Sequence, residues 1–330
     1  MDEQGPTPAK SVRAVVEIGP NYIFHLLAVA GVGFESGYAA RYRHTVRHED
    51  VALLRASAHL LTFAEGRAGE LVEVAVFFPA YMNLAGEREI REYFDLLERG
   101  IAGDHGAFVE RYRVHLEKWR LWPPAQVDKY FAGMGLLGPY GPALHRLRGV
   151  YAGNLAAYED RVWPEERPGL ESVAARLNRH FAQRDVIGRW EQVTRIPFKA
   201  DRYEIILCPA IENGPNANSL GYDRNVFYSG SDFDWMMQFI SHETGTHILI
   251  DVLGDPRLRR YDFDTVYRAY ENLARFYNTL VLETRDLYPM PPAYQHRRFD
   301  EIYAHLHSAH SEISPADLLV AGVDAFLSSR

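Results

Sequence analysis

The sequence predicts an α+β fold that is mostly helical and contains one small sheet. Apolar residues recur at three- and four-residue spacing over most of the first 160 positions, which is typical of helices that bury one side. Two stretches in the second half, 202–209 and 217–229, are rich in β-branched and aromatic residues and predict strands. Helical periodicity returns over 231–253 and 264–283.

Composition narrows the possible classes of protein. The 330 residues are 47% hydrophobic and 24% charged, as in ordinary globular proteins, and the length suits two domains or one large one. A net charge of -8 gives no basis for binding nucleic acid or an anionic membrane. The only cysteine, Cys208, excludes an intramolecular disulfide and suits a reducing compartment, so we expect a cytoplasmic protein and a buried thiol in a strand.

The first half of the chain begins with a polar segment and continues mainly as helices. The polar start predicts a disordered tail over residues 1–10, and the apolar run 23–34 is too short to span a bilayer. The stretch Glu70 to Phe78 predicts a strand. Helices are predicted over Ser36 to Arg47, His48 to Phe63, Glu87 to Gly100, His105 to Arg120 and Tyr140 to Tyr158.

A change of composition at Trp163 to Gly169 predicts a domain boundary. Two prolines, a glycine and several charges interrupt the helical periodicity there. We therefore expect a mainly helical domain over 11–163 and a second domain over 164–330 that begins with a helix from Leu170 to Asp185. Near the end of the chain, further helices are predicted over Phe299 to His310 and Ala316 to Leu327.

The stretch Ser231 to Leu253 predicts a helix that carries unusual polar residues. Ser231 with Asp234 resembles a capping box, and Gly254 before Asp255-Pro256 predicts the end of the helix. Two imidazoles and a carboxylate interrupt an otherwise apolar surface, in the pattern His242-Glu243-x-x-x-His247. Such a cluster is typical of a metal site, since two histidines on one helix commonly bind zinc and flank a glutamate that acts as general base.

The spacing of the two histidines sets a condition on the backbone. Positions i and i+5 lie about 140° apart around an ideal helix, so both rings could not reach one metal ion. A single wide turn of π type would bring the rings to one side, and such turns are frequent at functional sites. Gly245 lies inside that turn and would give the backbone the freedom to widen.

A third metal ligand is predicted on the next helix, Asp264 to Glu283. Glu271 lies among apolar residues of this helix, where an unpaired carboxylate is expensive unless it binds a cation. Two histidines and one glutamate leave an open coordination position, which is the arrangement of a catalytic zinc site. Should Glu271 not bind, Glu283 and Asp251 are the next candidates.

These two motifs carry a resemblance to a known family. The pattern HExxxH followed by a helix with E-x-L-A resembles zincin metallopeptidases of the gluzincin type. More narrowly, HETGTH and ENLA are similar to the tyrosine carboxypeptidase family that trims tubulin, and to its bacterial relatives. Thr244 stands where that family has an apolar residue, and Asn272 stands where it has glycine. The resemblance covers the last half of the chain and implies a zincin-like fold there.

The resemblance implies a zinc metallopeptidase that acts on a peptide or protein substrate. In that interpretation His242, His247 and Glu271 bind Zn²⁺, and Glu243 is the general base. The donor that steadies the oxyanion stays open among several residues, namely His305, His307, His310, Arg298 and Tyr303. Two alternatives also stay open: a non-haem Fe(II) enzyme, which uses the same two-histidine, one-carboxylate set, and an inactive zincin-like module that only binds a partner.

Overall fold

The computed structural model describes residues 10–64, 67–119, 134–212, 217–284, 287–288 and 290–328. These residues form fourteen α-helices, one four-stranded sheet and one two-stranded sheet, so the predicted helix-rich α+β class is confirmed. Residues 1–9, which carry nearly all of the predicted disordered tail, lie outside the described residues. Among the described helices, none combines the length and the apolar character that a membrane crossing needs.

The chain divides into two compact units, and each unit is built from separate segments. One unit comprises Met1–Val12, Phe181–Tyr203 and Ser231–Arg330, and the other comprises Arg13–His180 and Glu204–Gly230. This division differs from the predicted boundary at residues 163–164. Helix α9, Trp163–Phe181, runs through the predicted break. Pro164 lies in its first turn, where its missing N–H has no helical partner to lose, whereas Pro168 lies inside the helix.

The unit of Arg13–His180 and Glu204–Gly230 is mainly helical, and its helices enclose a large apolar core. Helix α1 is buried along nearly its whole length, including residues 23–30 of the apolar run that is too short to span a bilayer. The nine helices described in this part of the chain are α1 Ile18–Ala30, α2 Gly37–Tyr42, α3 His48–Ala56, α4 Ala58–Leu61, α5 Phe78–Tyr81, α6 Glu87–Ile101, α7 His105–Trp119, α8 Gly141–Arg161 and α9 Trp163–Phe181.

The predicted strand from Glu70 to Phe78 is wrong. Glu73–Phe77 forms a π-helix that continues directly into α5. Val74, Ala75, Val76 and Phe77 are all buried, and a short apolar run that is buried on every side has no periodicity that would separate strand from helix.

The larger sheet has the strand order β1-β4-β6-β5, where β1 is Ser11–Val15, β4 is Arg202–Cys208, β5 is Ala217–Gly221 and β6 is Arg224–Tyr228. Strands β4 and β6 are parallel, and β5 and β6 form an antiparallel hairpin. The two predicted strand regions are therefore confirmed, and Cys208 is fully buried in β4 as expected. The short strands β2, Phe63–Ala64, and β3, Arg67–Ala68, form the second sheet.

The other unit is built around one long central helix. This helix, α12, is Phe263–Leu282, and it packs against the four remaining helices of the unit. Those four are α10 Val186–Thr194, α11 Phe233–Leu249, α13 His296–Ala309 and α14 Pro315–Ser328. The motif His242-Glu243-x-x-x-His247 lies on α11 and Glu271 lies on α12, so the packing of these two helices decides how the candidate residues meet.

Candidate active site on α11 and α12

Helix α11 begins one residue later than the capping pattern predicts. Asp232, not Ser231, is the N-cap, and its Oδ1 accepts hydrogen bonds from the backbone N–H groups of Asp234 and Trp235, both at 3.0 Å. A carboxylate at this position also faces the positive end of the helix dipole. The chain leaves α11 through a 3₁₀ turn that ends at Gly254, where the sequence predicts the stop.

The predicted wide turn between His242 and His247 is absent. Helix α11 is α-helical from Phe233 to Leu249 without interruption. Gly245 has a different reason to be glycine, because the indole of Trp190 on α10 lies directly against its backbone. A β-carbon on Gly245 would be 2.1 Å from Trp190 Cη2. The same indole donates a hydrogen bond from Nε1 to Ser241 Oγ at 3.1 Å, which fixes the ring against α11.

The structure brings His242 and Glu271 together. His242 Nε2 lies 3.1 Å from Glu271 Oε2, and the two side chains are 2% and 14% exposed. The His242 ring is parallel to Phe239 at a centroid distance of 6.0 Å. His242 Nδ1 is buried and has no hydrogen-bond partner among the described residues. The nitrogen that faces the carboxylate is therefore the one that could bind a cation together with it.

His247 lies in a different environment on the same helix. Its side chain is buried, and its ring meets Tyr203 edge-on at a centroid distance of 5.0 Å. Within the described ranges, no group of three or more His, Cys, Asp and Glu side chains is arranged to hold a metal ion. The structure therefore joins His242 with Glu271 but does not add His247 to a metal-binding group with them.

Glu243 is half-buried and contributes to the electrostatics of two tyrosines. The Glu271 carboxylate raises the pKa of Tyr267 above its usual value, with burial and Glu243 adding to the effect. Burial raises the pKa of Tyr288 well above its usual value, and Glu243 and Glu271 raise it further. Both hydroxyls therefore keep their protons, and each is available as a hydrogen-bond donor.

The two tyrosines are functional candidates that the sequence interpretation missed. Tyr267 precedes Glu271 by four residues on α12, so the i, i+4 rule could have found it, and the Glu271 carboxylate is the largest cause of its raised pKa. Tyr288 lies beyond the end of α12, in a segment without periodicity, and nothing in the sequence connects it to His242. In the structure its ring meets the His242 ring edge-on at 5.8 Å.

Several other predicted candidates have different partners. Tyr303 is fully buried and donates its hydroxyl hydrogen to the Ala269 carbonyl at 2.8 Å. Arg298 Nη2 donates to the Phe326 carbonyl at 2.6 Å. On α13, the ring of His307 meets Phe276 at 5.4 Å. Packing and local hydrogen bonds therefore account for the positions of these three side chains.

The two next candidates for the third ligand, Glu283 and Asp251, also form ion pairs. Glu283 pairs with Arg189, and Asp251 pairs with Lys199, each at 2.5 Å. Glu271 differs from both, because its partner is itself a candidate ligand, His242. Comparisons of the chain with protein-family models, with curated proteins and with solved structures each found no match.

Proposed function

We propose that this chain is a zinc-dependent hydrolase that cleaves a bond in a peptide or protein substrate, with Glu243 as the general base. The observation that carries the proposal is the 3.1 Å separation of His242 Nε2 and Glu271 Oε2, on neighbouring helices and next to Glu243. An acidic protein with one cysteine is compatible with peptide chemistry in the cytoplasm and gives no basis for a nucleic-acid substrate.

The donor atoms of this pair suit zinc. Imidazole nitrogen and carboxylate oxygen are both common zinc ligands at about 2.0–2.2 Å, and two such ligands around a tetrahedral ion have donor atoms roughly 3.3 Å apart. Burial of both side chains means that the carboxylate gains from a cation more than it would in water.

His247 is the third ligand of the proposal on the strength of the motif alone. In a regular helix its ring leaves α11 about 140° away from that of His242, and Tyr203 packs against it. The proposal therefore requires one turn of α11 to open between the two histidines. Opening this turn would disrupt the packing of Trp190 on Gly245, so Trp190 opposes it.

The protein side chains account for the proton movements of the proposed reaction. Zinc, when bound, would lower the pKa of a water molecule to about 7 and polarise the substrate carbonyl. Glu243 follows His242 directly and is half-buried near two tyrosine hydroxyls, so its carboxylate can accept a proton from the attacking water and return it to the leaving amine. The tyrosine hydroxyls, held in the protonated form, do not compete for that proton.

The catalytic test compares zinc-loaded wild type with Glu243→Gln on a mixed peptide library that includes peptides ending in Tyr and Phe. Gln keeps the size of Glu but cannot accept a proton, so we expect cleavage to fall by about 10²–10⁴-fold while zinc content and folding stay the same. Glu301→Gln, an exposed change on α13, is the matched control and should cleave normally. Equal cleavage by wild type and Glu243→Gln would show that Glu243 is not the general base.

Metal analysis tests the site independently of activity. Wild type should hold about one equivalent of zinc, and Glu271→Gln and His247→Gln should each hold less. Full zinc retention by either variant would show that its residue is not a ligand. Iron in place of zinc would favour the two-histidine, one-carboxylate iron enzyme instead. A wild type that binds no metal and cleaves no peptide would overturn the proposed function.

A further inference from the structure

Tyr288 carries a buried hydroxyl that has no hydrogen-bond partner among the described residues. The residue is only 7% exposed. A buried hydroxyl without a partner costs roughly 1–3 kcal/mol, and most buried polar groups in native proteins avoid that cost. A bound ligand that accepts a hydrogen bond from this hydroxyl would explain why it is buried without a partner in the protein.

The backbone of Tyr288 is held from both helices of the candidate site. Its N–H donates to Gln238 Oε1 at 2.8 Å, and its carbonyl accepts from Arg275 Nη1 at 2.7 Å. Gln238 precedes His242 by four residues on α11, and Arg275 follows Glu271 by four residues on α12. The two helices that carry the proposed ligands thus each contribute one further side chain that holds Tyr288 in place.

The ring of Tyr288 is held as firmly as its backbone. Phe239 meets it edge-on at 5.3 Å, and His242 meets it edge-on at 5.8 Å. The Arg275 guanidinium lies 5.6 Å from the ring centroid, is itself buried, and faces Asp300 across 3.7 Å. Such a ring has little rotational freedom, so its hydroxyl stays in one position at no further entropic cost when a ligand arrives.

The position of the ring points to the kind of ligand. The Tyr288 ring meets the ring of His242, a proposed metal ligand, edge-on, so the phenol belongs to the candidate site. The phenol oxygen can accept a hydrogen bond and its proton can donate one, and that proton is satisfied only by a hydrogen-bond acceptor such as a substrate carbonyl.

We propose that the Tyr288 hydroxyl donates a hydrogen bond to the carbonyl oxygen of the bound substrate and stabilises the negative charge that this oxygen gains during attack. The inference rests on the proposed hydrolytic function and adds the oxyanion-stabilising residue to it. The phenol keeps its proton throughout, so the step forms and breaks no covalent bond at Tyr288. Fixed donors that await a developing charge are among the strongest contributions to catalysis.

The test is Tyr288→Phe, which removes a single oxygen atom. Because that oxygen has no partner among the described residues, the variant should fold normally, hold as much zinc as wild type, and unfold at an equal or higher temperature. We expect kcat to fall by about 10²–10³-fold with KM nearly unchanged, as for other single oxyanion donors. Tyr261→Phe, which loses a hydroxyl that bonds Asp324 at the surface, is the control and should keep wild-type kinetics.

Inhibitor binding provides a readout other than activity. A peptide phosphonate, whose tetrahedral oxygens mimic the attacked carbonyl, should bind Tyr288→Phe about 10²–10³-fold more weakly in calorimetry, while a product peptide should bind equally well. Active wild type together with unchanged kcat and phosphonate affinity in Tyr288→Phe would overturn this inference and leave the proposed function intact. A wild type without cleavage, zinc or phosphonate binding would overturn both.

Discussion

The indole of Trp190 occupies the space that a side chain at Gly245 would need, since a β-carbon there would lie 2.1 Å from Trp190 Cη2. Trp190 is fully buried, and its Nε1 donates to Ser241 Oγ on the same helix as Gly245. A rigid ring that is fixed by its own hydrogen bond cannot yield to an added methyl group. The packing of α10 on α11, rather than freedom of the backbone, therefore explains the glycine within the histidine motif.

Gly245→Ala should destabilise the protein by about 1–3 kcal/mol, the usual cost of overpacking a filled interior. Alanine is the better helix former by about 1 kcal/mol, so the sign of the effect separates packing from helix propensity. The measurement is urea unfolding followed by circular dichroism. Gly149→Ala is the matched control, because Gly149 lies in helix α8 with no atom within 4 Å of an added β-carbon, and it should gain stability. A gain for Gly245→Ala as well would show that the Trp190 indole does not constrain this position.

Much of this unit can be predicted from the sequence, because the spacing of apolar residues and the helix ends depend on residues close together in the chain. The three- and four-residue spacing of apolar residues predicts α11 and α12 to within a few residues of their observed ends, and Glu271, singled out as an isolated glutamate on a packed face, lies 3.1 Å from His242. The same reasoning fails for Gly245, since the residue that explains it lies 55 positions earlier in the chain on α10. Either backbone freedom or close packing can require glycine in a helix, and only the residues packed against it in the structure show which applies.

Tyr288 shows why part of the site stays beyond sequence reasoning. It is held by Gln238 and Arg275, which are 50 and 13 residues away in sequence. No periodicity links a residue outside any helix to two helices, so its position follows only from tertiary packing. The π-helix at Glu73–Phe77 has a similar origin, because burial on all sides removes the alternation that identifies a strand or a helix.

Asp232 and Ser231 offer a direct test of where α11 begins. Asp232→Ala should cost about 1 kcal/mol, because it removes the acceptor for two backbone N–H groups and a negative charge from the helix N-terminus. Ser231→Ala is expected to change the free energy of unfolding by no more than a few tenths of that. Urea unfolding of the two variants measures both. The opposite ranking would restore Ser231 as the N-cap that the capping pattern predicts.

His25, on α1 in the other unit, is a neutral histidine locked in one tautomer. Thr45 Oγ1 gives its own hydrogen to the Tyr42 carbonyl at 2.7 Å, so at 3.1 Å from His25 Nε2 it can only accept, and Nε2 carries the ring proton. Nδ1 then accepts from the Tyr38 hydroxyl at 2.9 Å. Both ring nitrogens are satisfied in the neutral form, and burial lowers the pKa of His25 to about 3.

This histidine should make the protein less stable in mild acid. The unfolded chain binds a proton at His25 near pH 6.5, whereas the folded chain resists it until about pH 3, so the unfolded state holds more protons between these values. The stabilisation is complete above pH 6.5 and is lost as the pH falls, by about 2 kcal/mol between pH 7.5 and pH 5. Urea unfolding at both pH values measures it as the difference between wild type and His25→Gln. His44→Gln, at an exposed position, should keep the wild-type pH dependence. Equal pH dependence in wild type and His25→Gln would show that His25 is not the group responsible, whatever the absolute stability of the variant.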